Sequence, residues 1–138
     1  MSVTARSLTN YQVEIRAGSH TFISDEPVGI GDDAGPGPFD LLLGALASCT
    51  IITLHMYARR KSWPLERVEM SLDMRSIENV IDGDKVRSSM IDTRLTFHGP
   101  LTPEQTKRLE EIAERCPIHR TLRGEIGIST TVSNLMPD

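Results

Sequence analysis

The stretch Gly35-Pro-Gly-Pro38-Phe-Asp40-Leu-Leu-Leu-Gly44-Ala-Leu-Ala-Ser-Cys49-Thr-Ile-Ile-Thr-Leu54-His-Met-Tyr57-Ala-Arg59-Arg-Lys61 decides how the chain folds. Pro38 suits the first turn of a helix, where its missing N–H costs nothing. Ser62-Trp63-Pro64 marks the helix end, because the residue before a proline is pushed out of the helical region. Arg59, Arg60 and Lys61 fall where the partial negative charge of a helix C-terminus favours cations. A helix is therefore predicted from about Phe39 or Asp40 to about Lys61. Its first half is apolar all round, with Leu41, Leu42, Leu43, Ala45, Leu46, Ala47, Ile51, Ile52 and Leu54. A helix that is apolar on every side is buried on every side. In a chain this short a sheet can cover one face, and a second subunit is the economical cover for the other.

The flanks supply the sheet. Tyr11 to Ile15 alternates apolar and polar residues and reads as a strand. Ala17-Gly18-Ser19 is a turn, and Thr21-Phe22-Ile23 is the return strand of a hairpin. Val28 to Pro38 is an irregular loop of Gly, Pro and Asp, with no phosphate-loop spacing. Downstream, Val68 to Met74 alternates cleanly. Asp82-Gly83 gives a hairpin turn, and Met90 to His98 is the partner strand. Thr102 at the N-cap and Pro103 at the first position open a second helix. Leu109, Ile112 and Ala113 form its apolar stripe, and Pro117 stops it just after Cys116. Ile126 to Val132 is a last strand. The order ββ–α–ββ–α–β is an α+β class with a largely antiparallel sheet wrapped on a long central helix. Residues 1–138 form one domain, without repeat or linker.

Composition narrows the function. The chain carries a net charge of −4, and its aromatic content is 4%. No basic stripe interleaves with aromatics, which argues against nucleic-acid binding. Met1 to Asn10 is polar and lacks the apolar core of a secretory signal. The uncharged run from Leu41 to Leu54 is shorter than the roughly 20 apolar residues of a membrane span. A cytoplasmic location and no membrane partner are the expectation. In a reducing compartment two cysteines are thiols or a functional redox pair before they are a structural staple.

Cys49 lies mid-helix on the stripe Leu42, Leu46, Cys49, Thr53, Met56. A small core residue, half of a disulfide, a metal ligand and a nucleophile all fit that place. Cys116 stands in Glu-Arg-Cys116-Pro-Ile-His119-Arg120, at a helix end beside a proline. That junction suits a residue that presents its sulfur, and Arg115, His119 and Arg120 would favour a thiolate if they point inward. A rigid cysteine and one at a mobile junction suit a thiolate that attacks a peroxide and a thiol that resolves the sulfenic acid. Zinc is the rival, since Cys116 and His119 have ligand spacing. The further ligands would have to come from Cys49, His20, His55 and His98, and a second short-range pair is missing. No bound metal or cofactor is expected.

The block from Gly35 to Thr50 resembles the loop and central helix of the OsmC/Ohr superfamily (osmotically inducible protein C and organic hydroperoxide resistance protein). Cys116-Pro-Ile-His-Arg120 resembles its second cysteine motif, and the element order matches over nearly the whole chain. Asp25-Glu-Pro27, Met56-Tyr57-Ala58 and Lys61-Ser-Trp-Pro64 resemble a less characterised branch. The resemblance implies an intertwined homodimer with active sites at the interface. It implies reduction of organic or fatty-acid hydroperoxides, with Cys49 as attacking thiolate and Cys116 as resolving thiol. The implied reductant is an external dithiol or a lipoyl group on another protein. An arginine from the first hairpin would hold the thiolate, Arg16 before Arg6, and a helix carboxylate would position that arginine. The family's glutamate corresponds to Phe39; here the acid is Asp40, one residue on. The alternative function is a dimer of this fold that binds an apolar ligand or a partner and keeps its cysteines as packing residues.

Overall fold

A computed structural model describes residues 1–134. It begins with three antiparallel strands, β1 (Thr4–Ser7), β2 (Val13–Ala17) and β3 (His20–Ser24). The expected hairpin is β2–β3, with Ala17 paired to His20 across the turn. Gly18 holds φ 61, a left-handed conformation that costs glycine nothing. The third strand, β1, pairs Thr4 with Arg16 and Ser7 with Val13, and was not expected from the polar N-terminus. Its burial explains that: all four of its residues are exposed, so no hydrophobic alternation marks it.

The loop after β3 is organised by Asp25. This residue is buried, and its carboxylate accepts the backbone N–H groups of Glu26 at 2.7 Å, Ala34 at 3.0 Å and Asp32 at 3.2 Å. Such donors satisfy a charge that burial alone would make costly. Gly35 backs onto the carbonyl of Ile23 so closely that a side chain there would collide with it.

The loop delivers the chain into α1 (Pro38–Lys61), 24 residues long. Pro38 is in the first turn, and the Ser62 C-cap is left-handed at φ 56. The helix is longer than the uncharged run. By length and composition it could cross a membrane. One side of it packs on the chain, where Leu46, Thr50, Leu54 and Ala58 form a buried stripe.

A two-stranded sheet follows, β4 (Arg67–Ile81) and β5 (Asp84–His98), closed by Asp82-Gly83. Each strand has 15 residues, longer than the alternating segments Val68–Met74 and Met90–His98. The proximal half packs on the core through Val68, Leu95 and Phe97. The distal half carries Val80, Ile81 and Val86 into the open.

The next helix, α2 (Pro103–Ala113), opens as expected. Thr102 accepts the Gln105 N–H while Gln105 returns a bond to the Thr102 N–H. It ends earlier than expected, at Ala113. Pro117 does not merely stop it but begins a third helix, α3 (Pro117–Arg123). Cys-Pro thus reads as an N-cap followed by proline at the first position. The expected strand Ile126–Val132 is also corrected: it pairs with no strand among the described residues, and Ile126, Ile128 and Val132 stand exposed.

α1 packs against α2, α3 and β4. The core is Leu54, Val68, Leu109, Ile112 and Ala113, flanked by Tyr57 and Trp63 in edge-to-face contact at 5.4 Å. The chain is α+β with antiparallel sheets and one long helix, as the sequence predicts.

Candidate active site

The α1–α3 contact brings the two cysteines together. Cys49 is half-buried and Cys116 has no exposed surface. The two thiols are near enough that each shifts the other's titration. Cys116 therefore is not displayed at a mobile junction; it is the N-cap of α3, with its sulfur turned in against α1. The local cause is geometric. An N-cap side chain accepts the orphan N–H groups of the first helical turn. Pro117 has no N–H to offer, and the His119 N–H reaches the Cys116 sulfur at 3.2 Å.

Other donors complete the arrangement. The nearby Thr50 hydroxyl and Ile118 N–H favour the Cys116 thiolate. Thr50 is 2% exposed, one helical turn from Leu46 and Leu54 on the buried stripe of α1. The same Ile118 N–H and the Thr53 hydroxyl favour the Cys49 thiolate. Sequence reasoning missed Thr50 and Thr53. The four-residue spacing of Thr50 from Leu46 and Leu54, and of Thr53 from Cys49, is a signal that could have found them.

The electrostatics of the two thiols differ. Burial pushes the Cys49 thiol up, the neighbouring Cys116 adds to this, and the Ile118 and Thr53 bonds oppose it. Burial also pushes Cys116 up, but the bonds from Cys49, the His119 N–H, Thr50 and the Ile118 N–H outweigh it and leave that thiol below its ordinary value.

The other expected site residues lie elsewhere. Arg16 is on β2, exposed, with its Nε 3.0 Å from Glu14. Glu14 also binds Arg6 through two bonds of 3.1 Å. Among the described residues neither arginine acts on Cys49. Asp40 accepts the Gly37 N–H at 2.9 Å, closing the first turn of α1. At about 100° per residue it lies roughly half a turn around the helix from Cys49. His119 serves Cys116 through its backbone rather than its ring, and Arg120 is exposed. Arg115 lines a groove of about 640 Å³ with Tyr57, Arg60 and Arg108.

Two hollows flank the pair. One of about 150 Å³ lies among Leu46, Thr50, Met70, Leu95 and His119. The other is the 640 Å³ groove, walled by Thr53, Met56, Ile112 and Pro117 beside its arginines. Leu46 lines the smaller space and Met56 the larger, and Ile52 and Met56 are both exposed on α1. Among the described residues no three His, Cys, Asp or Glu side chains converge as a metal site.

Two cysteines held in contact by a long helix and a helix cap define a thiol site on an α+β frame. Residues 31–131 match the family model described as OsmC-like protein, and the chain belongs to that family. A hydroperoxide reductase of Mycoplasma pneumoniae is 29% identical over 91 residues, 65% of this chain and 64% of that relative, so the match spans less than two thirds of its length. The crystal structure of an OsmC-like protein from Mycoplasma pneumoniae shares the fold with a TM-score of 0.72 at 24% identity, covering 89% of this chain and 86% of that one. An organic hydroperoxide resistance protein from Legionella pneumophila gives 0.64 at 21% identity, covering 89% and 88%.

Proposed function

We propose that the chain is a thiol-dependent peroxidase that reduces organic or fatty-acid hydroperoxides with Cys49 and Cys116. The observation that carries this reading is the contact between the two sulfurs. A cysteine pair kept for packing alone has no need of the polar donors gathered around it. The names of the Mycoplasma and Legionella relatives point the same way.

The Cys49 thiolate attacks the terminal oxygen of the hydroperoxide. The O–O bond breaks, the alkoxide takes a proton and leaves as the alcohol, and Cys49 becomes a sulfenic acid. The Cys116 thiolate then attacks the Cys49 sulfur, the S–O bond breaks, and the departing hydroxide takes a proton from solvent and leaves as water. The resulting disulfide is returned to two thiols by an external dithiol or lipoyl-protein reductant, which a reducing cytoplasm supplies.

The active form is a homodimer. α1 carries an exposed stripe, Ala45, Ser48, Ile52 and Met56, on the side away from the core. The unpaired segment Ile126–Val132 and the open half of the β4–β5 hairpin are further apolar surface that a second copy covers. In this assembly Arg16 is the cation that reaches Cys49 across the interface and lowers its pKa. That opposes the effect of burial on the Cys49 thiol.

Cumene hydroperoxide should be consumed in the presence of a dithiol, and Cys49→Ser should abolish turnover. One equivalent of peroxide should remove both thiols as one intramolecular disulfide. If both remain titratable after that treatment, the alternative stands: a dimer that binds an apolar ligand without peroxidase chemistry.

A further inference from the structure

We propose that the groove between α1 and α2 is a binding site for linear carboxylic acids, with the ionised head over Tyr57 and the chain laid toward the thiol pair. For substrate choice this rests on the peroxidase reading, under which the favoured substrate is a fatty-acid hydroperoxide as the free acid rather than as an ester. The binding itself rests on the groove alone.

The head end is a cluster of cations. The Arg60 guanidinium lies 5.3 Å from the centre of the Tyr57 ring, that of Arg108 lies 5.8 Å away and the Lys61 ammonium 5.9 Å. Arg108 Nε donates to the Tyr57 hydroxyl at 3.1 Å, and its Nη1 meets Glu111 at 2.8 Å. Glu111 is therefore already engaged by Arg108. Arg60 and Arg115, which also line the groove, form no ion pair among the described residues. Like charges gathered without counter-charges repel one another, and an anion placed among them relieves that repulsion. The Tyr57 hydroxyl accepts from Arg108, so its own proton is left to donate. A carboxylate takes bonds from guanidinium and hydroxyl donors with charge assistance.

The rest of the groove suits an alkyl chain. Beyond Tyr57 its walls are Met56, Ile112 and Pro117. Thr53 is one helical turn from Cys49, and Pro117 follows Cys116 directly. Arg60 stands eleven residues from Cys49 on α1, about 16 Å along the helix axis. That span calls for a long chain rather than a small organic acid. A hollow of about 640 Å³ is of small-molecule size. An acidic protein could meet the same cations but has no use for the apolar walls.

The second copy of the chain leaves the site open. The groove is built between two helices of one chain. Of the residues named for it, only Met56 belongs to the exposed α1 stripe that the proposed dimer covers, so the seam borders the groove there without crossing it.

The test uses the reduced full chain and the emission of Trp63, the only tryptophan, whose ring stands 5.4 Å from that of Tyr57. Dodecanoate, titrated below its micelle concentration, should give a saturable change. Methyl dodecanoate should bind about tenfold more weakly, because it lacks the charge. Arg60→Gln, at an exposed position outside the core, should weaken dodecanoate roughly fivefold. Equal affinities for acid and ester overturn the proposal, and so does an unaltered dodecanoate affinity in Arg60→Gln. A response to poly-L-glutamate with none to dodecanoate assigns the groove to an acidic protein and also overturns it. Turnover separates this inference from the reading it deepens. If dodecanoate binds as expected while linoleic acid hydroperoxide is not consumed, only the peroxidase reading fails. If that hydroperoxide and its methyl ester are consumed with equal kcat/KM and dodecanoate does not bind, the peroxidase reading stands and this inference fails.

Discussion

Asp40 closes the first turn of α1 by accepting the Gly37 N–H at 2.9 Å, and so is engaged in capping rather than facing Cys49. The helix period explains why. A carboxylate one residue from its family position is rotated by about 100°. Asp40→Asn should therefore leave peroxide turnover within about twofold of the parent, while Asp40→Ala should lower stability by about 1 kcal/mol through loss of the cap. Steady-state peroxide consumption and urea titration read the two effects separately. A large loss of kcat in a folded Asp40→Asn protein would return the acid to the chemistry.

Asp25 gives a pH dependence. The Ala34 N–H, followed by those of Glu26 and Asp32, holds its carboxyl below the ordinary carboxylate range, while burial opposes them. A carboxyl depressed in the folded state stabilises the fold above its unfolded pKa, and that contribution is lost as pH falls through the folded value. Replacing Asp25 by Asn should lower Tm at pH 7, and the gap between the two proteins should narrow as pH falls below about 4. A gap that stays constant down to pH 3 would show that the charge contributes nothing.

The central helix was legible because its signals agree: Pro38 at the start, cations at the end and apolar residues throughout. The β4–β5 hairpin was legible only where it touches the core. Val68 to Met74 alternates because one face is half-buried, whereas the distal half is held by pairing to its own partner strand and carries no such pattern. Ile126 to Val132 shows the opposite case. Its alternation is that of a strand, but a strand needs a neighbour, and pattern alone does not say which chain provides it.

The site was legible as a pair of cysteines, not as a network. Cys116 beside Pro117 looked like a chain break. The same two residues also spell an N-cap and a first helical position, and three-dimensional packing chose the second. Arg16 illustrates a different limit. Its type marks it as a partner for an anion, but within one chain that anion is Glu14.

The core predicts a large cost for a single truncation. Leu54 has no exposed surface and lies among Val68, Leu109, Ile112 and Ala113, where α1 meets β4 and α2. Leu54→Ala removes buried methyl groups and leaves a cavity, which typically costs about 2–5 kcal/mol. Leu54→Met keeps the volume and should cost less than about 1.5 kcal/mol. Urea midpoints at an unchanged slope check both values.

The exposed side of α1 predicts an assembly. Ile52 is 55% exposed and Met56 67% exposed, both on a helix whose opposite side is the core. An isolated chain with this much apolar helix in water is a poor end state, because such patches mark interaction surfaces. Replacing Ile52 by Arg places a charge in the proposed seam without touching Leu54 or the sulfurs. Sedimentation equilibrium should show a dimer for the parent and a monomer for Ile52→Arg, with helical content retained by circular dichroism. Peroxide turnover should fall at least tenfold with the loss of the dimer, because the proposed assembly is what would bring Arg16 to Cys49. A parent chain that sediments as a monomer, or a monomeric variant with full turnover, would show that one copy is sufficient.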